Sequence, residues 1–133
     1  MTRVNVVDVK ELTDQHLLAE YREILMVGSS LQRSLRSPKW DPKRIPKEYT
    51  LNKGHVTFFY DKGLYLLKRY SRLRREMKRR GMRPDKDRHF NLEKFPDDMI
   101  KDWVPTERDR EINRERIANR ISEKPDWYRH TGC

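Results

Sequence analysis

Three stretches of this chain repeat their apolar residues at helical spacing, and a proline closes each one. That punctuation limits the fold more than any other feature. Leu17, Leu18, Tyr21, Ile24 and Leu25 line one face of a first helix. Thr13 is its predicted N-cap, with Asp14 in the first turn where the helix dipole favours negative charge. Gly28-Ser29-Ser30 weakens this helix, which is expected to continue to about Arg36 before Ser37-Pro38 ends it. Val56, Phe59, Gly63, Leu66, Tyr70, Leu73 and Met77 predict a second helix from near Gly54-His55 towards Arg80. Gly81 is its C′ residue, and Pro84 forbids continuation. Gly63 then falls mid-helix, about 1 kcal/mol worse than Ala, which on a packing face favours close approach of another segment. A third helix opens at Pro105-Thr106, with Thr106 as N-cap and Asp109 in the capping-box position, and stops at Pro125.

The connections are less regular. Residues 2–12 contain Asn5, Val6, Val7 and Val9, poor helix formers with some β character. Too little strand lies elsewhere to pair with them, so they are expected to run as a tether between helices. Residues 37–53 form a basic loop punctuated by Pro38, Pro42 and Pro46. Residues 82–105 form a long connection held down by Phe90, Leu92, Phe95, Met99, Ile100 and Trp103. The expected fold is all-α: one domain over residues 1–133, three main helices, long irregular connections and an extended N-terminal segment packed between helices.

Charge indicates the partner. Lys and Arg number 31 against 21 Asp and Glu, a net charge of +10. Such an excess suits DNA, RNA or an anionic membrane. The longest apolar runs, residues 56–60 and 64–67, are far too short to span a bilayer. Residues 1–26 have no secretory h-region. Cys133 is the single cysteine, which excludes an internal disulfide and a cysteine-based zinc site and suits a reducing compartment such as the cytoplasm. A monomer is expected. His16, Glu20 and Glu23, at i, i+4 and i+7, share a helix face opposite the apolar one. Ligands on one helix diverge, and no HExxH is present, so no metal site is expected. On these residues alone, a non-catalytic nucleic-acid-binding module and a metal-dependent nuclease both stay open.

The first residues offer a different chemistry. Met1 precedes the small Thr2, a context in which the initiator is removed, so the mature chain is expected to start with the Thr2 amine. An α-amine has a pKa near 8, far below that of lysine, and can attack an electrophilic carbon to form an imine. Arg3 is adjacent, and the first helix carries Arg22 and Glu23.

Four blocks in order, TRVN, ELTDQHLLAEYRE, GHVTFFYDK and KPDWY, resemble the pyrimidine-dimer DNA glycosylase/AP lyase family over nearly the whole chain. The resemblance implies an enzyme on duplex DNA containing UV photoproducts or abasic sites, with neither metal nor cofactor. It assigns the nucleophilic amine to Thr2 and the essential carboxylate to Glu23. The family extrudes the adenine opposite the 5′ pyrimidine and not the dimer itself. DNA contacts are implied for Arg3, Gln15, His16, Arg22, Arg116, Arg120 and the aromatic, basic segment Trp127, Tyr128, Arg129. Glu20 is expected to be structural, GHVTFFYDK mainly core, and the basic run at residues 72–83 a shared electrostatic aid to scanning DNA. Two departures stand out. The family arginine three residues after the glutamate is Met26 here, and His130 and Thr131 replace tyrosines.

Overall fold

The structure, a computed structural model, describes residues 3–131. The expectations for Thr2 and Cys133 therefore lie outside the described residues. The described chain is all-helical, with an isolated antiparallel bridge between Lys62 and Ile100. The helices are α1 (Asp14–Glu23), α2 (Met26–Arg36), α3 (His55–Phe58), α4 (Gly63–Arg79) and α5 (Glu107–Glu123), and short 3-10 turns punctuate the connections.

The caps follow the sequence. Thr13 accepts the His16 N–H through its side chain, and Thr106 and Asp109 complete a reciprocal capping box. At the end of α4, the Met82 N–H bonds to the Met77 carbonyl and the Gly81 N–H to that of Lys78. This is a Schellman closure, and Gly81 supplies the required left-handed φ of 85°.

Two expectations need correction. The first helix is interrupted at Ile24 and Leu25, not weakened at Gly28. Both residues keep right-handed helical dihedrals, so α1 and α2 form one bent rod. Gly28 is instead a packing site, where a Cβ would lie 3.1 Å from Lys94 and 3.3 Å from Phe95. The second predicted helix is split into α3 and α4. Residues 59–62 keep winding through i→i+3 bonds, from Phe59 to Val56, Tyr60 to Thr57 and Lys62 to Phe59. That winding preserves the apolar spacing while breaking the α-helix. Gly63 opens α4, where a Cβ would sit 3.2 Å from the Phe95 ring and 3.3 Å from the Met99 carbonyl. The close approach is real, although the residue is not mid-helix.

Three main helical rods result: α1–α2, α4 and α5. Their core includes Leu17, Ile24, Leu31, Phe58, Phe59, Leu66 and Leu73. Phe95 and Met99 from the long connection close it on one side. The N-terminal segment is threaded among the rods, with Val4, Val6, Val7 and Val9 buried. It has no strand partner, so side chains meet its backbone groups. Asn113 of α5 accepts from the N–H groups of Val6 and Val7 at 2.7 and 3.2 Å. Arg69 of α4 donates to the Val7 carbonyl, and Arg80 to those of Val9 and Lys10. Asn5 bridges the Asn113 amide and the Glu20 carboxylate.

Candidate active site

Glu20 and Glu23 lie one helical turn apart and have different environments. Glu20 is buried and receives a two-pronged ion pair from Arg69, at 2.7 and 3.0 Å. Burial acts to lower the Arg69 pKa, but the charge and hydrogen bonds of Glu20 outweigh it and hold the guanidinium protonated. The Glu20 face of α1 therefore meets the threaded segment and α4, not solvent, which corrects the picture of a polar stripe opposite the core. Glu20 is structural, as expected, and has no spare oxygen for chemistry.

Glu23 is half-buried. Burial raises its pKa above the usual carboxylate value. The Arg3 charge and a hydrogen bond from the Arg3 backbone N–H oppose the rise without cancelling it. The side chain thus faces Arg3. Arg22 is exposed beside it, and Met26, one turn further on, is also exposed.

Arg3 is fixed by a bond from its guanidinium to the Leu51 carbonyl at 2.8 Å. Its pKa is lowered by burial and by the charge of Arg116, with Arg120 adding to the effect. Positive charge is thus concentrated here beyond what nearby acids neutralise. Arg3, Asn5, His16, Arg116, Ile117, Arg120 and Tyr128 line an open cleft of about 310 Å³. Arg116 also borders a second cleft of about 470 Å³, formed by residues 49–52 and the outer face of α5. The two depressions share Arg116 as a wall and make one surface beside the chain's first residues.

His16 forms the floor of the first cleft. Its Nδ1 lies 2.7 Å from the Thr13 hydroxyl, and its ring stacks on Tyr128 at 4.8 Å with the planes almost parallel. Burial, then the Arg120 charge, lowers its pKa. His16 and Glu20 point to different partners, and no group of three His, Cys, Asp or Glu among the described residues could hold a metal ion.

The C-terminal segment docks on the start of α1. The Gln15 side chain donates to the Trp127 carbonyl at 2.6 Å and accepts from the Arg129 N–H at 3.0 Å. The Asp14 N–H bonds to the Arg129 carbonyl, and the Asp14 carboxylate receives the N–H and hydroxyl of Thr131. Gln15 thus spends both ends of its amide on the tail. Trp127 stays 56% exposed and packs edge-on to Tyr128. The Arg129 side chain is exposed. Of the DNA contacts expected from sequence, Arg3, His16, Arg116, Arg120 and Tyr128 share one cleft. Arg22, Trp127 and Arg129 are exposed outside its lining, and Gln15 braces its edge.

Sequence reasoning missed the residues that hold the site in place. Asn113, Arg69 and His55 grip the threaded segment, yet each reads as an ordinary member of a polar or aromatic run. Asn113 was the most detectable of them, as an uncharged polar residue one turn before Ile117 on the inner side of α5.

A carboxylate of raised pKa close to Arg3, with a basic, aromatic cleft next to it, makes a surface suited to a polyanion. The chain matches the pyrimidine dimer DNA glycosylase family over residues 1–90, and it belongs to that family. The matched stretch contains Arg3, His16, Arg22, Glu23 and His55. The opposite wall, from α5 and the tail, lies beyond it. Among the described residues no helix is long and apolar enough to cross a membrane.

Proposed function

We propose that the chain, once Met1 is removed, is a monomeric glycosylase and AP lyase acting on cyclobutane pyrimidine dimers in duplex DNA, with the Thr2 amine as nucleophile and Glu23 as its proton-transfer partner. The observation that supports this reading is the half-buried Glu23 carboxylate of raised pKa, on which the charge of Arg3 acts, beside the cleft lined by Arg3, Arg116 and Arg120.

In the proposed reaction the amine attacks C1′ of the 5′ pyrimidine, and the C1′–N1 bond breaks with its electrons leaving on the base. The base stays tethered to its neighbour through the cyclobutane ring. The amine gives up its protons, O4′ takes one as the sugar opens, and an imine remains. Loss of a C2′ proton then expels the 3′ phosphate by β-elimination, and water releases Thr2. Glu23 serves twice, accepting protons and stabilising positive charge at C1′. Its raised pKa makes it a better proton acceptor than an ordinary carboxylate. Arg3, Arg22, Arg116 and Arg120 hold phosphates, which positions the duplex without reading its sequence. His16, Tyr128 and Trp127 supply ring surfaces for a distorted or extruded nucleotide. The whole sequence balances with these groups and water.

Borohydride trapping tests the reading. Processed protein is mixed, in EDTA, with duplexes carrying one thymine dimer, one abasic site or no lesion. A covalent adduct on the dimer duplex, lost when the N-terminus is extended, is the expected result. Glu23→Gln should slow adduct formation by about 10²–10⁴-fold, the usual contribution of acid–base catalysis. Binding without an adduct would leave only a nucleic-acid-binding module, and cleavage abolished by EDTA would point to a nuclease.

A further inference from the structure

The loop before α3, with the first residue of that helix, grips the first described residues at three points. Arg3 donates to the Leu51 carbonyl at 2.8 Å. The Tyr49 hydroxyl donates to the Val4 carbonyl at 3.4 Å. The Val4 N–H donates to Nε2 of His55 at 2.9 Å, and the other ring nitrogen of His55, Nδ1, lies 2.7 Å from the Thr50 carbonyl. These partners leave one protonation state. A carbonyl can only accept, so Nδ1 bears the proton. A backbone N–H can only donate, so Nε2 presents a lone pair. The imidazole is neutral and fully used, with no nitrogen left for metal or substrate.

We propose that His55 is the positioning residue of the N-terminal nucleophile: as a neutral acceptor clamped to Thr50, it sets where Arg3 and Val4 lie relative to Glu23. The inference rests on the imine reading above and deepens it. The Val4 N–H directly follows Arg3, whose charge acts on Glu23, so His55 holds the peptide next to the residue that faces Glu23. The ring is itself held rigidly. Tyr49 and Phe59 meet it edge-on at centroid distances of 5.6 and 5.5 Å. Gly54, at φ 96°, makes the turn that places His55 as the first residue of α3. Arg3 and Arg116 are the charged groups that act on it; Tyr49, Thr50 and Phe59 are uncharged. Nothing there favours an imidazolium. Burial first, and then those two arginines, drive the pKa down to about 4 against the opposing Thr50 bond, so the acceptor persists across the working range.

The test compares wild type, His55→Phe and His55→Gln in single-turnover imine trapping on an abasic duplex at saturating protein, with duplex affinity measured in parallel. Phe fills the aromatic site but removes the acceptor. Gln extends a carbonyl oxygen to about the place of Nε2. A misplacement of about 1 Å is worth about 100-fold in rate. The expected outcome is therefore a trapping rate about 100-fold lower for Phe with affinity nearly unchanged, and substantial recovery for Gln. A folded Phe variant that traps at the wild-type rate overturns the proposal, and so does an equal loss in both variants, which would make the ring a packing element only. Nitrogen-15 NMR of the wild-type imidazole provides a check that needs no variant to fold. A bare, hydrogen-bonded Nε2 at pH 7 is expected, and an Nε2–H tautomer overturns the assignment. If processed wild type traps nothing, the imine reading fails, whereas loss confined to the Phe variant supports positioning.

Discussion

Asn113→Ala is the sharpest test of how the threaded segment is held. The Asn113 side chain is wholly buried and makes three bonds: it accepts from Val6 N–H and Val7 N–H and donates to Asn5 Oδ1. Truncation leaves two backbone donors buried without an acceptor, at about 1–3 kcal/mol each. The space left by the amide adds a smaller cavity term. A total near 3–4 kcal/mol follows, a large share of the roughly 5–15 kcal/mol that stabilises a domain. Urea unfolding followed by circular dichroism should show a midpoint lower by about 2 M, for a slope of about 1–3 kcal/mol/M. Asn119→Ala, exposed on the same helix, is the control and should fall within about 0.5 kcal/mol of wild type. A loss below about 1 kcal/mol for Asn113→Ala, with Val6 and Val7 amides still protected from hydrogen exchange, would refute the reasoning, because something else would then be pairing them.

Glu20→Gln and Arg69→Met should each destabilise by about 3–5 kcal/mol in the same urea assay, since each leaves a buried partner uncompensated. The pair replaced together by apolar residues should recover much of that loss. His55 makes a pH prediction. Its folded pKa of about 4 lies below the ordinary 6.5, so the unfolded chain binds more protons between those values. Its contribution is complete above pH 6.5 and falls away as pH drops towards 4, by up to about 3 kcal/mol. That slope should be absent from the His55→Phe minus wild-type comparison only if the tautomer argument is wrong. Arg116→Ala and Arg120→Ala should each flatten the dependence of log K on log salt by about 1, with preference for damaged over undamaged duplex retained.

What could be read from the chain divides along physical lines. The signals at Thr13, Thr106-Asp109 and Gly81 are local: one side chain or one φ meets a backbone group within a turn, so neighbours in sequence are neighbours in space. The interruption at residues 59–62 was invisible because its i→i+3 turns leave Phe59 and Gly63 on the apolar side, as a continuous helix would. Glu20 was expected to be structural, but its partner could not be named. Its burial depends on Arg69, 49 residues away, and no spacing rule separates Arg69 from Arg72. GHVTFFYDK was read mainly as core and His55 is buried within it, but its ring nitrogens matter only through Val4, 51 positions distant. The family resemblance supplied Arg3, Glu23, Arg116 and Arg120 as a set. Their convergence on one side of the threaded segment depends on tertiary packing that composition does not encode.

The placing of these polar groups has a common cause. A helix or sheet pairs its backbone internally, whereas an extended segment without a strand partner carries every N–H and C=O into the interior as a debt of hydrogen bonding. Apolar contact could bury Val4, Val6, Val7 and Val9 in several registers, because dispersion has no direction. Hydrogen bonds do not permit that freedom. A slip of one residue would take Val4 from His55 and Tyr49, Val6 and Val7 from Asn113, and the Val7 carbonyl from Arg69 at once. The valines supply the driving force for burial, and the polar side chains of three rods and one loop supply the register. A nucleophile at the start of such a segment would inherit that register. Reactive groups must be held to about 0.5 Å, and here that tolerance would be met by buried Asn, His and Arg side chains remote from the reacting atoms.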